Sequence, residues 1–186
     1  MRLFVALELT EGVRGALREL VARLEPAGAD LRWVRPAGMH LTVKFIGEMP
    51  EVKLPLIREA LARVRSPKPV ALEFRGLGYF PNERRPRVFW VGVEASDNLP
   101  ALAAEVEAAL EPFGIPRENR PFAPHLTLGR FKSANRLERL QQEIARLPAT
   151  QFGRVETSEF VLFQSRLSPH GAEYTRLEAF PFVRSS

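Results

Sequence analysis

Met39-His40-Leu41-Thr42-Val43 and Pro124-His125-Leu126-Thr127-Leu128 are two versions of one pattern, His-x-Thr-x with an apolar residue at each x. On a β-strand, residues i and i+2 share a face. Each imidazole and its threonine hydroxyl would then point one way, while Leu41 and Val43, or Leu126 and Leu128, point the other. Each copy predicts a strand with one face toward a site and one toward a core.

The histidines lie 125 − 40 = 85 positions apart. The same offset lays Arg2-Leu3-Phe4-Val5-Ala6 on Arg87-Val88-Phe89-Trp90-Val91, and Ala16-Leu17 with Val21 on Ala101-Leu102 with Val106. A repeat of this length means two similar lobes, not a solenoid of short units. The predicted class is α+β: a bilobal, duplicated single domain over residues 1–186, with lobes at roughly 1–80 and 86–180. Two similar antiparallel sheets with outer helices would enclose a central cleft, and a pseudo-twofold would set the two motifs face to face across it.

Composition narrows the classes. An apolar share of 45% over 186 residues is ordinary for a globular chain, and only the last few residues read as disordered. The absence of cysteine removes disulfides and thiolate metal sites, and three histidines are too few for a structural zinc centre, so no metal and no cofactor is expected. No apolar run is long enough to span a bilayer and the start of the chain has no leader pattern, which predicts no membrane and a cytoplasmic protein. A monomer is the expected state. Net charge is +5, with the cations mostly arginine: Lys44, Lys53, Lys68 and Lys132 are the four lysines. The excess favours encounter with polyanions, although a merely arginine-rich surface accounts for it equally well.

Along the chain, residues 2–9 are apolar and β-prone, and Glu11 to Glu25 places Val13, Leu17, Leu20, Val21 and Leu24 at helical spacing behind Thr10 as N-cap. Strands follow at 31–34, 41–46, 70–79, 88–94 and 126–131, helices at 51–65, 97–110 and 135–147, and a final hairpin at 160–167 and 173–180. Asp97 reads as a helix cap, and Gly76 and Gly78 as a bend or bulge. Pro112, Gly114, Pro116, Pro121 and Pro124 describe a stiff, extended arm ending at His125. The inventory is roughly eight strands and four helices.

Two facing imidazoles suit phosphoester chemistry near neutral pH, since one takes a proton from the nucleophile while the other gives one to the leaving oxygen. The threonines would donate hydrogen bonds to the non-bridging phosphate oxygens. Paired His-x-Thr-x motifs, together with RLFVALEL, HLTVKFIGE, YFPNERRPRVFWVGVE, FAPHLTLGR and VLFQSRLSPHGAEYTRLEAF, resemble the two-histidine (2H) phosphoesterase superfamily, specifically its RNA 2′,3′-cyclic phosphodiesterase, or 2′-5′ RNA ligase, branch.

That resemblance implies metal-independent opening of RNA 2′,3′-cyclic phosphate ends to 2′-phosphomonoesters, with reversible 2′-5′ ligation as a companion activity. It implies His125 as the base toward water and His40 as the acid toward the 3′-oxygen, an order that two near-identical motifs leave open on their own. Alternatives are a small cyclic nucleotide such as ADP-ribose 1″,2″-cyclic phosphate as substrate, and a non-catalytic module that binds RNA ends.

Four further features attach to this site. Arg130 suits a phosphate, but strand parity points it away from the His/Thr face unless a bulge near Gly129 intervenes; its counterpart at the 85-residue offset is Phe45. Phe45, Tyr79, Phe122 and Phe163 could stack on a base, yet core is the expected place for each. His170, in a Ser-Pro-His-Gly turn with no counterpart in the first copy, reads as exposed and non-catalytic. The loop Phe80 to Arg87 could touch phosphates but reads first as a solvated hairpin tip.

Overall fold

The computed structural model describes residues 1–183; residues 184–186, where the sequence reading placed a disordered end, lie outside the described residues. Among the described residues there are four α-helices and nine strands, and the strands form two antiparallel sheets. The strands are β1 (Arg2–Leu7), β2 (Leu31–Trp33), β3 (Leu41–Glu48), β4 (Val70–Phe80), β5 (Val88–Ala95), β6 (His125–Phe131), β7 (Gln151–Thr157), β8 (Glu159–Ser168) and β9 (Gly171–Pro181). The helices are α1 (Glu11–Leu24), α2 (Leu54–Leu61), α3 (Asn98–Leu110) and α4 (Leu137–Ala145).

The first sheet runs β3-β1-β8-β9 and the second β2-β6-β5-β4-β7. In each, the opening strand of a sequence copy pairs with the strand that carries its His-x-Thr motif: β1 with β3, and β5 with β6. The other neighbour comes from the opposite copy, because β8 pairs with β1 while β4 pairs with β5. The short β2 also crosses over, laying Arg32 beside Arg130 on β6. Sequence copies and sheets therefore have different boundaries. The helices cross in the same sense, α1 packing against β7 and α4, and α3 against β3 and α2.

Helix α1 forms as its pattern predicts. Thr10 sits in the extended region and its hydroxyl accepts from the Val13 amide, while Val13, Leu17, Leu20, Val21 and Leu24 are buried. Asp97 does not cap α3. Its backbone is already helical, and its carboxylate pairs with Lys68 at 3.0 Å instead. The helix expected from residue 51 begins as a 3₁₀ turn at Glu51–Lys53 and becomes α-helical at Leu54.

Strand β7 is the ninth, absent from the sequence inventory. Its register with β4 skips Phe152, beside Gly153 at φ 118°, so Phe152 and Val155 are both buried without two-residue alternation. The bend expected in β4 is a bulge between Phe74 and Leu77 with Gly76 at φ 79°. Gly78 has another role: a Cβ there would run into the Trp90 ring, so only glycine lets that indole lie across the strand.

One main core runs under both sheets, and a second, smaller cluster of Phe4, Ala6, Val161 and Phe163 lies on the other face of the first sheet. Among the described residues, no helix is long and apolar enough to cross a membrane.

Candidate active site

His40 is delivered to the start of β3 by a 3₁₀ turn, Pro36–Gly38, and by Met39, which is buried. Leu41 and Val43 go into the core and Thr42 stays half-buried on the opposite face, as strand parity predicts. The imidazole lies over the smaller apolar cluster, 4.3 Å from the Phe163 ring and 6.2 Å from Phe4, with Tyr174 edge-on at 5.6 Å. A Cβ at Gly38 would stand 3.0 Å from the Tyr174 ring, a tight contact that glycine avoids. Burial in this apolar seat, reinforced by the Arg14 guanidinium, lowers the His40 pKa to about 4, against the opposite pull of Glu8 and a hydrogen bond to the Gly38 carbonyl.

His125 opens β6 at the end of the proline-rich arm, which has no regular structure from Ile115 to Pro124. The arm is held by a single buried cation. Lys44 Nζ, on the strand of the other motif, donates to Glu107 Oε1 at 2.8 Å and to the Pro116 carbonyl at 2.7 Å. Glu107 also accepts from the Glu118 amide at 2.9 Å. Burial would raise the Glu107 pKa, but the hydrogen bonds from Lys44 and Glu118 outweigh it and hold the carboxyl below its ordinary value. His125 Nδ1 lies 3.2 Å from the Ala123 carbonyl. A carbonyl only accepts, which assigns the ring proton to Nδ1 and leaves Nε2 with a free lone pair.

Beyond each threonine the ladder slips by one residue. In the first sheet Ala6 faces Thr42, Val5 faces Lys44 and Phe4 faces Phe45, with Val43 skipped. In the second, Trp90 faces Thr127, Phe89 faces Gly129 and Val88 faces Arg130, with Leu128 skipped. This duplicated bulge reverses parity, which turns Arg130 and Phe45 onto the His/Thr face of their strands. The irregularity that Arg130 needed is present, one residue earlier than Gly129. Phe45 is 65% exposed, and the expectation that it sits in the core is overturned by the same bulge.

The ladders also correct the repeat itself. They equate Phe4 with Val88 and Ala6 with Trp90, an offset of 84, whereas the motifs keep 85. Aligning Phe4 on Phe89 exchanges a residue of the cleft face for one in the main core.

The structure brings His40, Thr42, His125, Thr127 and Arg130 onto the wall of one cavity of about 1030 Å³. Phe45, Phe122, Tyr174, Arg2 and Arg120 share that wall. Of the other aromatic candidates, Phe163 is buried beneath His40, and Tyr79 packs on Phe89 and Phe131 with its hydroxyl pKa raised by burial. His170 is exposed in the β8–β9 turn and does not line the cavity. Phe80, read in the sequence as the start of a loop, ends β4 with its ring 5.6 Å from His125, and Tyr174 is not among the aromatic candidates, although strand parity against the buried Phe163 points to it. Among the described residues, no group of three or more His, Asp or Glu side chains is placed to hold a metal ion.

A duplicated α+β fold whose two motif strands each present an imidazole and a threonine to one shared cavity defines a two-histidine phosphoesterase. The chain belongs to the LigT like Phosphoesterase family, whose profile matches it twice, at residues 7–90 and 91–174. It is a hydrolase with cyclic phosphodiesterase activity. The RNA 2′,3′-cyclic phosphodiesterase of Methanothermobacter thermautotrophicus is 34% identical over 181 residues, 97% of this chain and 98% of its own. That of Thermus thermophilus is 40% identical over 189 residues, 97% of this chain and 89% of its own. A crystal structure from Thermus thermophilus superposes with a TM-score of 0.79 at 36% identity, and E. coli LigT complexed with 3′-AMP with 0.78 at 26%, each covering 98% of both chains.

Proposed function

We propose that the enzyme opens the terminal 2′,3′-cyclic phosphate of RNA, leaving a 2′-phosphomonoester and a free 3′-hydroxyl. Water attacks phosphorus in line with the departing 3′-oxygen, so the proton acceptor and donor stand on opposite sides of the phosphate. His125 takes the proton from water, for which its free Nε2 is the right form. His40 gives one to the 3′-oxygen. Thr42 and Thr127 donate hydrogen bonds to the non-bridging oxygens, and Arg130 offers its guanidinium to the same charge. No metal enters the scheme. With a 5′-hydroxyl in place of water, the same in-line attack forms the 5′-O–P bond as the 3′-oxygen departs, which joins two RNA ends through a 2′-5′ linkage. The observation that carries this reading is the paired motif with its paired bulge on the wall of one cavity, and the names of the relatives supply the substrate class.

One observation favours the opposite division of labour. With a pKa of about 4, His40 is neutral at pH 7 in the empty cavity, the form of a base rather than of an acid. In the order proposed here, the anionic phosphate restores the proton on binding by offsetting Arg14 and the apolar seat. The experiment compares His40→Ala and His125→Ala on a cyclic-phosphate-ended oligonucleotide and on a phosphodiester with a nitrophenolate leaving group, which departs without a proton. His40→Ala is expected to recover most of its lost rate on the activated ester while His125→Ala does not. The reverse pattern exchanges the roles, and full activity of either variant on the oligonucleotide refutes the mechanism.

A further inference from the structure

We infer that Arg32, on the short crossing strand β2, forms with Arg130 a binding site for a second phosphate of the substrate, the phosphodiester just upstream of the cyclic end. The inference rests on the RNA reading above and deepens it, since an upstream phosphodiester belongs to an oligonucleotide end and not to a cyclic mononucleotide.

Three observations carry it. First, Arg32 and Arg130 are directly opposite each other in the β2–β6 ladder, so both side chains leave the sheet on one face. Their flanking pairs, Leu31 with Phe131 and Trp33 with Gly129, turn the other way: Leu31, Gly129, Trp33 and Phe131 all belong to or pack on the core. The bulge at Leu128 makes that face the His125/Thr127 face, and Arg130 lies on the cavity wall.

Second, two guanidinium groups opposite each other repel, and a carboxylate between them would be the ordinary remedy. Among the described residues neither forms a salt bridge. An anion from solution fits what the protein leaves unmatched, and a forked guanidinium pair suits phosphate oxygens.

Third, Arg32 reaches toward the mouth of the cavity. Its Nη2 lies 3.9 Å from the position that a Cβ on Gly171 would take, in the turn between β8 and β9. The adjoining Leu167 and Ala172 line the cavity, whereas Arg32 itself does not. Arg32 therefore stands one strand further out than Arg130, on the path of a chain leaving the reacting end.

The test compares Arg32→Gln with the unaltered enzyme on a trinucleotide ending in a 2′,3′-cyclic phosphate and on a 2′,3′-cyclic mononucleotide, between about 50 and 200 mM salt. On the trinucleotide kcat/KM is expected to fall about tenfold, mainly through KM, and the slope of its logarithm against log salt to become shallower by about 0.7. On the mononucleotide kcat/KM stays within about twofold, which also shows that the variant is folded. Arg32→Lys, which keeps the point charge but not the fork, falls between the two. Equal losses on both substrates, or none on either, overturn the second phosphate site while leaving the RNA reading intact. Failure of the unaltered enzyme to open either substrate overturns the RNA reading itself.

Discussion

The two histidines share a motif but not an environment. His40 is seated on Phe163, Phe4 and Tyr174, while His125 is exposed at the end of the arm. In the proposed mechanism, replacing either by Ala removes one of two proton transfers and should cost about a hundredfold to ten-thousandfold in kcat on a cyclic-phosphate end, measured at saturating substrate. The proposed mechanism uses imidazoles alone, so it expects dialysis against EDTA to leave turnover unchanged, and a strict need for added metal would contradict it. The seat of His40 also has a signature that needs no substrate. By NMR its ring should titrate near 4 in the free protein and move upward when a 2′-nucleoside monophosphate occupies the cavity. The same shift links to stability. In the unfolded chain the ring titrates at its ordinary 6.5 and in the folded chain near 4, so the unfolded state binds more protons in between. Stability present above pH 6.5 is then lost as pH falls toward 4, and His40→Gln should flatten that slope in denaturant titrations at pH 7 and pH 4.5.

At the level of elements, the two motif strands are tied together by Lys44. It follows Thr42 and the bulge at Val43, and it reaches Glu107 and the Pro116 carbonyl of the arm that carries His125. Lys44 is 3% exposed, and removing its ammonium strands two acceptors. Lys44→Met should destabilise the fold by about 1–3 kcal/mol, read from the denaturation midpoint. It should also lower kcat by loosening the arm, while the His40 titration stays in place. Unchanged turnover with lowered stability would mean that the arm keeps its position without the latch. The sequence made the motifs, the cleft and α1 legible, because two-residue and 3.6-residue periods and a capping threonine are local signals. The exact places of the two motif-strand bulges are not. They depend on which residue of a neighbouring strand faces which, and a ladder between residues 4 and 45 leaves no local trace. Arg130 is therefore recognisable by its chemistry, with the bulge it requires only a condition near Gly129, while Phe45 reads as core and β7 is hidden where Gly153 breaks the alternation.

For the whole molecule, the consequence lies in how the copies exchange strands. Duplication invites the expectation of two lobes that fold side by side, each from its own half of the chain. The ladders connect them differently: β1 relies on β8 for one of its two neighbours, β5 relies on β4, and β2 adds to the edge of β6. A fragment of residues 1–85 would hold β1 with an open edge and β4 with neither of its partners, β5 and β7. A fragment of residues 86–186 would hold β8 without β1 and β5 without β4. Open apolar edges of this kind do not stand alone, and the backbone groups along them need partners. Each fragment is therefore expected to show no cooperative thermal transition. Mixed in equal amounts they should regain one, together with cyclic phosphodiesterase activity, since the cut between Arg85 and Pro86 falls in the loop between β4 and β5 rather than within a strand. Cooperative melting by residues 1–85 alone would show that the exchange is dispensable. Silence of the mixture would show that the two halves must share one backbone to find each other. The expected result places the active site where neither half can build it: the cavity needs His40 from one copy and His125 from the other, in sheets that each copy only partly supplies.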